Sequence, residues 1–234
     1  MKLLFLLLLS VSVFASNCSQ FFYQNFVPVV HNSDTRYEIC NDEYVTVYDA
    51  NLKAPLFSAN VLRGTKHLPR VNAFHEEQSI PVAVRDTLED YDHSGYDRGH
   101  LVPSGDATTK QSQFQTFTLA NMIPQVGVCN RGPWKHLEEM VRQIAQTQVV
   151  YVISGPIYIN KSTFIGNHVL VPDAMYKLII VPQRKAITAI VMKNEKSCDY
   201  RVVSLSEVEQ LTNITFTDDN IDKSIIDDFL KLNN

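Results

Sequence analysis

Apolar and polar positions follow two periods along this chain, and the difference between them separates its strands from its helices. Residues 44–48 alternate aromatic or β-branched side chains with period two, the pattern of a strand with one buried face. Residues 148–154 form a second β-rich run, which Gly155 and Pro156 are expected to end. Residues 177–181 and 186–192 are again apolar and β-branched, and the Pro182-Gln183-Arg184-Lys185 segment between them predicts an antiparallel hairpin. The other period appears where Trp134, Leu137, Val141, Ile144 and Ala145 recur at helical spacing, with Pro133 in the first turn, where a helix tolerates it. Ser204 and Glu207 have the spacing of a capping box, and Ile221, Ile225 and Phe229 suggest a last amphipathic helix. Without repeats, low-complexity tracts or long linkers, these elements are expected to form one α+β unit, residues 16–234, with a mainly antiparallel sheet.

The first fifteen residues stand apart. Lys2 precedes an apolar run from Leu3 to Leu9, and Val13 and Ala15 supply small residues, so 1–15 reads as a signal peptide cut after Ala15. The run is too short to span a bilayer, and the expected protein is secreted or periplasmic with no stable membrane association. Export gives Cys18, Cys40, Cys129 and Cys198 a meaning, because an even cysteine count in an oxidising compartment signals disulfides. Three pairings are open, of which chain proximity favours Cys18 with Cys40 and Cys129 with Cys198.

Composition is that of an ordinary globule, 45% hydrophobic and 20% charged, which excludes a disordered chain. The net charge of −4 argues against a globally basic surface, although Asp218, Asp219, Asp222, Asp227 and Asp228 concentrate part of the deficit at one end. A polyphosphate partner would therefore need a local cluster of cations. Lys66, His67, Arg70, Arg85, Arg98, Arg131 and Lys135 are the candidates.

Chemistry concentrates in the middle of the chain. The segment YDRGHLVPSG, from Tyr96, sets His100 among turn-formers, and a neutral imidazole with an ordinary pKa near 6.5 can accept a proton at physiological pH and lose that capacity in acid. Asn121 lies in LANMIPQ, and Asn130 opens NRGPWKHLEE, immediately before the helix that carries Glu138. An amide oxygen is a hard neutral ligand that suits Mg²⁺, an ion that retains several waters and completes its octahedron with phosphate. Eight helical residues rise about 12 Å, so Glu138 is expected to orient water on the ion rather than share direct coordination with Asn130. Helix capping by Asn130 and a solvated Glu138 are the alternatives that spacing alone leaves open.

Taken in order, YDRGH, FTLANMIPQ and NRGPWKHLEE resemble the DNA/RNA non-specific endonucleases, the family that includes mitochondrial endonuclease G. The similarity extends upstream through RVNAFHEEQSIP and downstream through VVYVISGPIY and VPDAMYKLII. The resemblance implies a ββα-metal, or His-Me finger, site on an α+β body. It makes His100 the general base, Asn130 the ligand of Mg²⁺, with Mn²⁺ able to substitute, and Glu138 the helix carboxylate. Asn121 becomes the amide near the scissile phosphate, while Arg70 and Arg98 contact phosphate; Arg131, from the candidate cations, is a further expected substrate contact. The implied activity is one-metal hydrolysis of DNA and RNA to 5′-phosphate products, with little sequence preference because phosphate contacts carry no base information. Cys129 departs from the bulky apolar residue expected before the metal ligand. Two other activities fit the same residues: a nucleic-acid-binding protein without turnover, and a phosphodiesterase for small nucleotides.

Overall fold

In the computed structural model, which describes residues 16–217 apart from 32, 65 and 185, the chain is organised by a seven-stranded antiparallel sheet. The leader at 1–15 and the amphipathic stretch through Ile221, Ile225 and Phe229 lie outside the described residues. After β1 (Val29–Val30) come β2 (Arg36–Cys40), β3 (Tyr44–Asp49) and β4 (Ala54–Leu62). The chain then leaves the sheet for α1 (Leu88–Tyr91), β5 (Asp97–His100), α2 (Lys110–Thr116), β6 (Met122–Gln125), the single turn α3 (Gly127–Cys129) and α4 (Lys135–Ala145). It returns through β7 (Val150–Ile157), the ribbon β8 (Phe164–Ile165) and β9 (Val169–Leu170), then β10 (Ala174–Val181), β11 (Ala186–Lys193) and β12 (Tyr200–Val203). Helix α5 (Leu205–Thr212) and β13 (Ile214–Thr215) follow, and β13 pairs with β1. The sheet order is β12-β11-β10-β7-β4-β3-β2.

Period-two alternation assigns the two faces. On β10, Ala174, Tyr176, Leu178 and Ile180 join one core, which α5 covers with Leu205 and Val208. Met175, Ile179 and Val181 point the other way, towards Leu137, Val141 and Ala145 of α4. This second face is not uniformly apolar. Thr46, Ser58, Ser154 and Lys177 stand in register on β3, β4, β7 and β10, all buried, and form a continuous polar row across four strands. The row is internally satisfied: the Thr46 and Ser58 hydroxyls lie 2.7 Å apart, and Lys177 Nζ donates to Ser154 Oγ at 2.6 Å.

Three local differences from the sequence reading have physical causes. Strand β7 does not stop before Gly155-Pro156 but runs to Ile157. Beyond Ser154 it pairs only with β10, so Pro156, which lacks a donor, occupies a half-edge position where proline is tolerated. At α5 half of the capping box forms: Ser204 Oγ accepts the Glu207 N–H at 3.1 Å, whereas the Glu207 carboxylate pairs with Arg201. Finally, the chain is already helical before Pro133, in a π-type turn over Asn130–Trp134 that precedes α4. The expected β10–β11 hairpin is present, and Cys18–Cys40 and Cys129–Cys198 are the disulfide pairs, with Cα separations of 6.0 and 5.4 Å. Among the described residues no helix is long and apolar enough to cross a membrane.

Candidate active site

The antiparallel pair β5–β6 and helix α4 form a ββα unit lying over the polar face of the sheet. Strand β5 carries the DRGH sequence, and its glycine is required by packing: a β-carbon on Gly99 would collide with the Gln125 side chain on β6. One residue later His100 ends the strand, 8% exposed, with its ring 4.9 Å from Phe117 and 5.7 Å from Phe74. Its Nε2 is buried and has no hydrogen-bond partner among the described residues. Burial, reinforced by the charge of Arg70, lowers its pKa from 6.5 to about 3. The ordinary imidazole value expected from sequence is therefore corrected, and the base form persists far into acid.

His100 lines an open cleft of about 640 Å³ together with Arg70, Arg98, Asn130, Arg131 and Glu138. Asp97 organises one side of it. One carboxylate oxygen accepts from Asn130 Nδ2 at 2.9 Å and the other from Arg131 at 2.9 Å, so the Asn130 amide is oriented through its nitrogen and its oxygen remains available as a ligand. Arg70 is set by Asn72 Oδ1 at 3.1 Å and Ser104 Oγ at 3.2 Å, with its guanidinium 5.1 Å from the Phe117 ring centre. Arg98 is more committed: it donates to Leu88 O and Asp92 and packs against Phe74 and Tyr91.

Asn121 is placed differently from the other expected site residues. It is fully buried and does not line the cleft. Its Oδ1 accepts the Val102 N–H, while its Nδ2 donates to Val102 O and Thr116 O. The side chain thus imitates a strand partner and fixes the turn that follows His100; it acts on the backbone beneath the site.

Glu138 faces the cleft from the first turn of α4, above the polar row of the sheet. Burial raises its pKa to about 8, opposed mainly by the positive charge of Lys177. Lys177 is 1% exposed and sits 4.7 Å from the centre of the Trp134 ring. Asp106 completes this charged layer, accepting from Arg142 at 2.9 Å and Asn60 at 3.0 Å.

Comparison with known proteins gives this constellation a lineage. Residues 24–223 match the family model described as DNA/RNA non-specific endonuclease. The chain belongs to that family. It is 37% identical over 177 residues to Nuclease C1 of Cunninghamella echinulata var. echinulata, covering 66% of this chain and 69% of that one. With the mitochondrial nuclease of Saccharomyces cerevisiae the identity is 32%, over 76% of this chain and 61% of the relative. The bovine mitochondrial endonuclease G is 33% identical over 59% of this chain and 52% of its own length. The chain thus spans between about half and two thirds of these mitochondrial relatives. A solved structure of the EndoG/EndoGI complex superposes with a TM-score of 0.68 at 31% identity, covering 76% of this chain and 84% of that one. The fold is the ββα-metal nuclease fold.

Within this endonuclease framework, sequence reasoning missed Asp97 and Lys177. Asp97 is the residue next to Arg98, and its signal was a carboxylate inside the DRGH segment itself. The signal of Lys177 was a charge interrupting an apolar strand. Of the scattered cations, Arg70, Arg98, Arg131 and Lys135 meet in the cleft, whereas Arg85 is buried against Glu76 at 2.6 Å.

Proposed function

We propose that this family member is an exported endonuclease that hydrolyses DNA and RNA at internal phosphodiester bonds, with His100 as general base. The observation that carries the reading is a neutral His100 lining the same cleft as Asn130, Glu138 and Arg70.

The donor set fits a hard divalent cation. Asn130 contributes one amide oxygen, its orientation supported by Asp97, and a carboxyl raised to about 8 by burial is relieved by a nearby positive charge. When bound, Mg²⁺ supplies positive charge against the phosphate and the leaving oxygen. The protein's own groups do the rest. His100 accepts the proton of the attacking water as its oxygen bonds to phosphorus opposite the 3′ oxygen; the P–O3′ bond breaks, the 3′ oxygen is protonated from solvent, and the 5′-phosphate stays with the other fragment. Phe74 and Phe117 pack against the imidazole and hold its orientation. Arg70 offers charge-assisted hydrogen bonds to phosphate, with Arg131 at the other side of the cleft. Glu138 orients water, and Asn121 holds the turn behind His100. Because these contacts address phosphate, both sugars and any base sequence are accepted.

Export is supported by the leader-like pattern of 1–15 and by two disulfides in the described residues, although relatives include mitochondrial nucleases. Incubating purified protein with plasmid DNA and with RNA, with Mg²⁺ or with chelator, tests the activity. Metal-dependent cutting of both is expected. Tight binding without any product would support the binding-protein alternative instead.

A further inference from the structure

The cleft continues past its catalytic residues. Arg70, Pro103, Ser104, Lys135 and Glu138 line it on one side, and the same residues line a second basin of about 480 Å³. The far side of this basin is supplied by Lys66 and His67, from the irregular segment between β4 and α1, and by the solvent-facing side of α4.

Charge indicates what the basin can hold. Arg142 is engaged by Asp106 at 2.9 Å, and Lys135 shares its charge with Glu139 at 3.6 Å. Lys66 and His67 are exposed and make no hydrogen bond or ion pair among the described residues. Arg70 stands on the divide and faces both basins. A strand whose scissile phosphate lies beside His100 has to leave the first basin, and this route offers it Arg70 on the divide and then Lys66 and His67. Gln113, which also lines this basin, has its oxygen taken by the Val71 N–H.

We propose that the second basin is a subsite for a phosphate flanking the scissile one, held by Lys66 and His67, so that polynucleotides are preferred over dinucleotides. The proposal rests on the nuclease reading of the first basin, and it assigns the adjoining one to the substrate's continuing strand.

The test compares wild type with a Lys66→Ala/His67→Ala variant on a dinucleotide and on a 12-nucleotide single strand in Mg²⁺. In parallel, affinity for a fluorescent 12-mer is measured in chelator across a salt series. Both side chains are exposed, and a matched melting temperature confirms that the fold is unchanged. For the variant, kcat/KM on the 12-mer should fall roughly tenfold but less than about twofold on the dinucleotide, and the dependence of log affinity on log salt should flatten by about 1. Lys66→Arg should retain most of the 12-mer advantage. Equal losses on the two substrates, or unchanged 12-mer affinity and salt slope, overturn the subsite. A wild type that cuts neither substrate defeats the nuclease reading, while the binding measurement still decides the subsite.

Discussion

Replacing His100 with leucine should make the protein more resistant to acid. The imidazole is enclosed by Phe74 and Phe117 and lies under the influence of Arg70, which lowers its pKa from 6.5 to about 3. The unfolded chain therefore binds a proton at this residue near pH 6.5, while the folded chain does not until about 3. Between those values the folded state holds fewer protons, and stability falls as pH falls. At about 1.4 kcal/mol per pH unit, His100 alone removes about 2 kcal/mol between pH 6.5 and 5, and about 5 kcal/mol by pH 3. His100→Leu cannot titrate and is shaped for an aromatic-lined site, so the difference in unfolding free energy between variant and wild type should grow by about 2 kcal/mol from pH 7.5 to 5. Urea unfolding followed through Trp134, the chain's single tryptophan and a buried one, measures this at each pH. Taking the difference is essential. Glu138 and Asp86, raised to about 8, stabilise the fold most below their unfolded values and lose that contribution as pH rises through about 8, the opposite slope, but they are common to both proteins. Parallel pH profiles for the two proteins would refute the assignment of a buried, neutral His100.

Other substitutions separate the roles of the remaining residues. Asp97→Ala should leave the fold intact while raising the Mg²⁺ concentration needed for half-maximal cleavage by roughly tenfold or more, because Asn130 loses the partner that orients it; an unchanged Mg²⁺ titration would remove Asp97 from that role. Asn121→Ala should cost about 3 kcal/mol of stability, since three buried hydrogen bonds are lost; normal stability with reduced turnover would instead return Asn121 to the scissile phosphate. Lys177→Met removes the countercharge above which Glu138 and Asp106 are packed, and should destabilise the protein by about 3 kcal/mol in denaturant titrations at neutral pH. A decline in kcat/KM between pH 8 and 6, measured at low Mg²⁺, should belong to Glu138, because His100 stays neutral throughout that interval; the same decline in Glu138→Gln would count against this assignment.

The elements legible in sequence were those whose burial is apolar. Helix α4 and the β10–β11 hairpin follow from periodicity because Leu137 and Val141, or Leu178 and Ile190, are buried by simple hydrophobic contact. Strand β4 was not legible: Ser58 and Asn60 occupy inward positions, so its alternation disappears into the polar row shared with Ser154 and Lys177. The strand extension through Pro156 was hidden for another reason, since it depends on which neighbour stops pairing. At the site, the DRGH and NRGPW segments offered the residue types proposed to carry the chemistry, and the cleft gathers His100, Asn130, Glu138 and the arginines. What sequence could not supply was direction. Asn121 points into the protein, and Asp97 touches residues more than thirty positions away.

The Cys129–Cys198 bond, between residues 69 apart, sets how the protein withstands being cut. By chain entropy alone a loop of that size is worth about 4 kcal/mol. It encloses α4 and the central strands β7, β10 and β11, and inside it the stretch 159–164 is exposed. A protease acting there would leave two pieces still joined by sulfur, interleaved strand against strand and with Asn130 tethered through its neighbour. Nicking and inactivation are thereby separate events, and a gel run without reductant would still show a single full-length band.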